Sequence, residues 1–232
     1  LQAFCIYHAF KNKKSFYWYF FILFIPLLGS IIYIITQVYN KSDAEKIQSE
    51  VTSIINPTKR IKDLEKQIEF IDTYSNRIEL ADAYFQNNNF SEAILNYNKT
   101  LEDKVQDDLY ARQQLVLCYF QLKDYTAVVE QCELIKEKSQ FKGSKQQFCY
   151  GFALKELGKV EAAEEQLKQI DKPYSNYPER LELAKFYLET NRAEEGKTLL
   201  EEIHSESARM TKPNRKLYRL TIAEVERLLK SL

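Results

Sequence analysis

Glycine and proline are scarce, five of each in 232 residues. That is too few chain punctuators for a many-stranded sandwich or barrel, and it favours helices. Histidine is scarcer still: two residues, which with four cysteines starve most zinc sites and histidine-based catalysis of ligands. No excess of one charge exists, since Lys+Arg and Asp+Glu are both 33. A chain built to coat phosphate backbones would be basic, so nucleic acid is not an expected partner. A Gly-rich phosphate loop, a Gly-x-Ser-x-Gly elbow and a His-Glu-x-x-His pair are all missing. Any catalysis would have to come from scattered carboxylates, and nothing marks a pair; the expectation is a non-enzyme with no cofactor and no metal. The only methionine is Met210 and the chain begins at Leu1, which implies an upstream piece. What is present, 45% hydrophobic and 28% charged residues, fits an ordinary folded protein.

The charges are unevenly placed. Ser15 to Asn40 is a run of 26 residues without one, longer than the roughly 20 that cross a hydrocarbon core. Tyr17, Trp18 and Tyr19 stand at one end and Tyr39 at the other, where amphipathic rings favour a headgroup boundary. The expectation is a transmembrane anchor over 1–40: the end of a first helix, a basic loop at 11–14 and a span over 16–39. Lys13, Lys14, Trp18, Pro26-Leu27-Leu28-Gly29 and Tyr33 resemble the N-terminal membrane segment of phospholipase D-type cardiolipin synthases. The paired His/Lys/Asp motifs of those enzymes are not matched: His8 and His204 each lack a Lys two residues on. The resemblance therefore implies an anchor without the chemistry. Three Lys precede the span and Lys41 and Lys46 follow it, which puts the remainder outside. Cys118, Cys132 and Cys149 would better suit a reducing compartment. The localisation expected is integral to a bacterial cytoplasmic membrane, with the rest of the chain on the periplasmic or extracellular side.

All 33 acidic residues and 30 of the 33 basic ones follow Asn40, leaving this part a formal −3. A capping box at Ser42 and Glu45 opens a helical neck over 41–57, and Asn56-Pro57 ends it. Ile61, Leu64, Ile68 and Ile71 give a further amphipathic helix over 58–74. Internal repetition then dominates. Ala81, Val116, Gly151 and Ala184 recur at steps of 35, 35 and 33. The same steps link Tyr84, Tyr119, Leu154 and Tyr187; Phe90, Tyr125, Val160 and Ala193; and Ala93, Val128, Ala163 and Gly196. Tyr97, Cys132, Leu167 and Leu200, with Thr100, Ile135, Ile170 and Ile203, complete the register. Turn-prone residues (Asn87-Asn88-Asn89, Lys123-Asp124, Gly158-Lys159, Asn191-Arg192) divide each unit into two helices.

This register resembles the tetratricopeptide repeat, a helical hairpin of 34 residues. The resemblance implies an all-α superhelix of about four hairpins, over 75–106, 107–143, 144–174 and 175–206, within a repeat region of 75–212. The consensus Trp is absent, Leu154 replaces an aromatic, and Gly196 and Val128 replace Ala. Pro213 opens a last segment, 213–232, whose Tyr218, Ile222, Val225, Leu229 and Leu232 form one stripe. Stacked hairpins leave an apolar face at each end, so this segment and 58–74 are expected to be the two caps.

The cysteines are spaced by 14 and 17, unlike zinc sites, and Cys132 holds a packing position; they are read as buried structural thiols. His204, with Glu201 three residues before it, lacks the second such pair that a di-iron site needs and is read as a surface residue. A binding surface remains. In tetratricopeptide arrays the first helix of each hairpin lines a concave groove that holds peptides. Mapped onto this register, the groove candidates are Asp82, Phe85 and Gln86, then Gln113, Leu117, Phe120 and Gln121, then Phe152, Lys155 and Glu156, then Lys185 and Glu189. Asp82 and Leu117 sit where a carboxylate-clamping array carries cationic or amide groups, which argues against that ligand class. Phe85, Phe120 and Phe152 would suit apolar anchors on a partner. The reading is a membrane-anchored adaptor or scaffold with a protein partner in its groove and the bilayer as its second contact. The alternatives are an accessory or remnant subunit of a phospholipid-synthesising complex, and a structural homo-oligomer held by the span.

Overall fold

The computed structural model describes residues 2–11, 15–34, 57–102, 105 and 107–232. Two compact units divide the chain, residues 1–66 and 67–232. Tyr39 and the expected neck, Pro57 excepted, lie outside the described residues.

The first unit holds α1 (Gln2–Lys11), α2 (Tyr17–Phe24) and α3 (Pro26–Tyr33). A residue preceding proline is pushed out of the helical region, and Ile25 sits at φ −124°, ψ 71°. Over its described residues, 15–34, the apolar run is therefore two short helices folded back on each other. In a straight helix Trp18 and Tyr33 would lie about 22 Å apart along the axis; their ring centroids are 5.3 Å apart. Gly29 permits the fold: a Cβ there would stand 2.2 Å from the Phe21 carbonyl oxygen. Cys5, Ala9, Ile22 and Tyr33 form a small core on which Trp18 and Tyr19 pack. The Tyr17 ring contacts Trp18 and is mostly exposed. Among the described residues no helix is long and apolar enough to cross a membrane. The expectation of an integral membrane protein with its repeats on the outer side is thus corrected; the run was long enough, but the bend at Ile25-Pro26 breaks it.

Helix α4 (Pro57–Phe70) leads into the second unit. There α5 (Tyr74–Gln86) pairs with α6 (Phe90–Thr100), α7 (Leu109–Gln121) with α8 (Tyr125–Ile135), α9 (Lys145–Glu156) with α10 (Val160–Lys168), and α11 (Tyr177–Glu189) with α12 (Ala193–Ala208). A short α13 (Lys212–Leu217) and α14 (Arg219–Ser231) follow, and α14 packs on α11 and α12. The result is an all-α, tetratricopeptide-like superhelix. Its small and apolar register positions are the core: Ala81, Val116, Ala184, Ala93, Val128, Ala163, Tyr97, Cys132, Leu200 and Ile203 are each fully buried.

One device closes all four hairpins. Asn88, Lys123, Gly158 and Asn191 are left-handed, with φ of 58°, 59°, 75° and 60°. The next residue's amide (Asn89, Asp124, Lys159, Arg192) donates to the carbonyl of Tyr84, Tyr119, Leu154 and Tyr187 respectively, at 2.9 Å each time. This six-to-one bond satisfies a carbonyl that the ending helix would otherwise leave open. Starts are capped as well: Thr73, Asp124 and Ser144 accept from the amides of Asn76, Ala127 and Gln147.

A polar tie also repeats with the register. Arg77 reaches Asn96, Arg112 reaches Gln131 and Gln147 reaches Gln166, at 3.4, 3.2 and 3.0 Å. Each links the first helix of a hairpin to its second. In the fourth hairpin the equivalent residue is Arg180, which is fully buried. Its guanidinium donates to both carboxylate oxygens of Glu206 at 3.0 and 2.9 Å, to Asp171 at 2.7 Å and to Glu202 at 3.2 Å. Glu206 also accepts the Tyr174 amide at 2.7 Å.

Two outcomes follow from these contacts. Removing Glu206 takes from buried Arg180 the carboxylate that accepts two of its hydrogen bonds and leaves it the more exposed Asp171 and Glu202, so Glu206→Ala lowers unfolding stability by about 2 kcal/mol. In urea titrations Arg180→Met/Glu206→Leu together should restore much of that loss; a double variant as weak as the single one would deny the pair this role. At Gly158 an added Cβ meets nothing within 4 Å, so Gly158→Ala reports backbone strain alone, a loss of about 1 kcal/mol by the same titration.

Candidate functional site

Helices α7, α9, α11 and α14 surround a cavity of 510 Å³, lined by Phe120, Phe148, Phe152, Pro178, Glu179, Leu181, Glu182, Leu220 and Thr221. Phe148 and Phe152 are one helical turn apart on α9 and so share a face. Their centroids are 6.0 Å apart, and Phe120 of α7 stands edge-on to Phe152 at 5.4 Å and to Phe148 at 6.2 Å. Tyr125, opening α8, backs Phe152 at 6.1 Å. Aromatic pairs favour such edge and tilted geometries, so the wall is pre-formed. Leu220 of α14 forms part of the rim and is 77% exposed.

The placement of α11 follows from Arg180. At 100° per residue, a helix that turns position 180 inward turns 178 and 182 to the opposite side. Pro178 and Glu182 accordingly line the cavity, with Glu179 and Leu181 flanking them. Lys185 pairs with Glu182 at 2.8 Å and lies 3.9 Å from Glu224 of α14. Lys155 lies over the Phe152 ring, 5.4 Å from its centroid, and pairs with Glu189 at 2.6 Å and Glu156 at 3.8 Å.

The groove candidates fall into two groups. Phe120 and Phe152 line the cavity; Lys155, Glu156, Lys185 and Glu189 form its charged surround; Leu117 is half-buried against the core. Gln121 is exposed, and the Gln113 carbonyl accepts from the Gln146 amide nitrogen at 3.3 Å, tying the second and third hairpins. The first hairpin stands apart from the cavity. Phe85 packs edge-on against Phe90 at 5.6 Å within its own hairpin, and Gln86 is exposed. Asp82 accepts hydrogen bonds from the Tyr97 hydroxyl at 2.5 Å and the Tyr110 hydroxyl at 3.0 Å, binding the first two hairpins together. Burial and the adjacent carboxylate push the Tyr110 phenol up to about 12.

Phe148, Pro178, Glu179, Leu181, Glu182, Leu220 and Thr221 were not among the sequence candidates. A one-turn spacing to Phe152 could have found Phe148. Leu220 and Thr221 required knowing where α14 docks.

No metal cluster of three or more His, Cys, Asp or Glu occurs among the described residues. His204 is half-exposed, with Nε2 4.0 Å from Glu226 of α14. Cys118, Cys132 and Cys149 are buried and unbridged. Burial raises all three thiols, Cys118 and Cys149 from 9.0 to about 12. As pH rises above 9 the unfolded chain loses these protons while the folded chain keeps them. The stability that the thiols contribute is therefore whole below pH 9 and is lost towards pH 12. The limiting slope is about 1.4 kcal/mol per pH unit for each. Urea midpoints taken through this window should fall, and Cys118→Ala and Cys149→Ala should each flatten the fall.

The class the fold and cavity define is an α-α superhelix of tetratricopeptide-like hairpins with one aromatic concavity. Among solved structures the chain is similar to MamA MSR-1, with TM-score 0.57 and 16% identity over 71% of this chain and 95% of that one. MamA AMB-1 gives TM-score 0.58 and 18% identity over 70% and 96%. The nearly identical TPR-like repeats of a Podosopora anserina kinesin light chain give 0.55 and 20% over 71% and 94%. No protein-family profile and no curated protein matches the sequence.

Proposed function

We propose that the chain is a non-catalytic interaction scaffold that holds a partner protein in the concavity among α7, α9, α11 and α14. The observation that carries this reading is the aromatic wall of Phe120, Phe148 and Phe152. These rings line a 510 Å³ space that no side chain among the described residues of the second unit fills. A concave apolar site with a few polar groups at its edge is the usual form of a binding pocket, and aromatic side chains in such pockets dominate interface energies. The tetratricopeptide-like fold adds support, since stacked hairpins build concave binding surfaces. The reading as an accessory subunit of a phospholipid-synthesising complex rested on a membrane span. With α2 and α3 folded back on each other, no observation favours it.

Partner capture by the full chain tests the proposal. Phe152→Ala and Leu220→Asp should each weaken binding by about tenfold or more. Leu220 is so exposed that its change should leave the unfolding midpoint in place. Phe85→Ala, whose ring packs on Phe90, should leave binding unchanged. Equal loss from Phe85→Ala, or none from the other two, would move the site elsewhere.

A further inference from the structure

The rim of the cavity is not neutral, and this bears on what the cavity accepts. Glu179 and Glu182 both line it, on the α11 turn that faces the aromatic wall. Glu182 is matched by Lys185. Glu179 is half-buried and, among the described residues, makes no hydrogen bond or ion pair. Around them Glu156, Glu189 and Glu224 add three carboxylates, against Lys155, Lys185 and Arg227. Lys155, Lys185 and Arg227 are thus each engaged by an acid, and of the two carboxylates that line the cavity only Glu179 has no ion pair among the described residues. A partly desolvated carboxylate beside an apolar wall is best compensated by an incoming cation, and complementary potential fixes which partner docks and in what register.

Resting on the groove reading above, we infer that the occupant is a partner-protein segment with an aromatic or branched aliphatic anchor and a Lys or Arg about one helical turn away. The anchor fills the space between Phe120, Phe148, Phe152 and Leu181. The cation meets Glu179. A C-terminal carboxylate is the opposite of what this rim accepts, because it would face Glu179 and Glu182 with like charge. An acidic segment is disfavoured for the same reason.

The test selects binders to the full 232-residue chain from a random peptide library displayed on phage. Synthetic copies of the winners are then measured by fluorescence anisotropy. The expected result is enrichment of an apolar anchor with a neighbouring Lys or Arg. Affinity should fall at least tenfold in Phe152→Ala, about threefold in Glu179→Gln, and with added salt. Winners that depend on Phe152 but show no basic preference and no response to Glu179→Gln would overturn this inference while leaving the groove reading intact. Winners that are acidic, or that depend on a free C-terminus at the cavity, would do the same. Winners indifferent to both Phe152→Ala and Leu220→Asp, or no winners at all, would remove the groove reading as well. Sedimentation of the chain alone covers the remaining occupant: a dimer abolished by Leu220→Asp would mean that a second copy fills the cavity and would also overturn the inference.

Discussion

The buried guanidinium of Arg180 constrains the C-terminal half of this superhelix. An arginine with no exposed surface is costly unless its donors are matched, and here Asp171, Glu202 and Glu206 match them. Those three acids come from the loop before α11 and from α12. The cluster thereby fixes the loop, the fourth hairpin and the inward face of α11 at once. The loop pays with two left-handed residues, Tyr174 and Asn176 at φ 61° and 50°. Glu206 accepting the Tyr174 amide and the Ile170 carbonyl accepting from Asn176 hold it there. With Arg180 turned inward, Pro178 and Glu182 have only the opposite side to occupy, which is the cavity.

The remaining hairpins solve the same problem with weaker ties. A neutral amide or less deeply buried arginines serve where Arg180 serves in the fourth, and neighbouring hairpins are joined separately by tyrosines and ion pairs. Asp82 links the first two through Tyr110, the Tyr150 hydroxyl donates to Glu133 between the second and third, and Lys155 meets Glu189 between the third and fourth. In an array where each unit touches mainly its neighbours, such joints set the curvature of the whole. They also give Asp82 a structural place, since its carboxylate accepts from the Tyr97 and Tyr110 hydroxyls at the joint of the first two hairpins.

The repeat register was open to reading in the sequence, because close helix packing demands small residues at fixed spacings and a chain reversal demands turn formers between them. Ala81, Val116, Gly151 and Ala184 carry that message without knowledge of any contact. The left-handed Asn88, Lys123, Gly158 and Asn191 sit within the turn clusters for the same local reason. The run from Ser15 to Asn40 misled because hydropathy measures length and polarity, while the outcome turned on one local break. Pro26 and Gly29 were visible, yet a proline and a glycine occur in spanning helices too. That Trp18 comes to rest on Tyr33 is a tertiary fact.

The sequence by itself determined the helical class, the hairpin period and the scarcity of histidine and glycine, since each depends on local spacing and composition. Only the tertiary structure decided which aromatic rings meet. Phe85 and Phe120 are equivalent by register, but Phe85 packs on Phe90 within its own hairpin, while Phe120 also meets Phe148 and Phe152 beside a cavity that Leu220 borders from the far end of the chain. Periodicity says which face of a helix a residue occupies; it is silent about what lies opposite, and that depends on the rigid placement of α11 and α14 by contacts many residues apart.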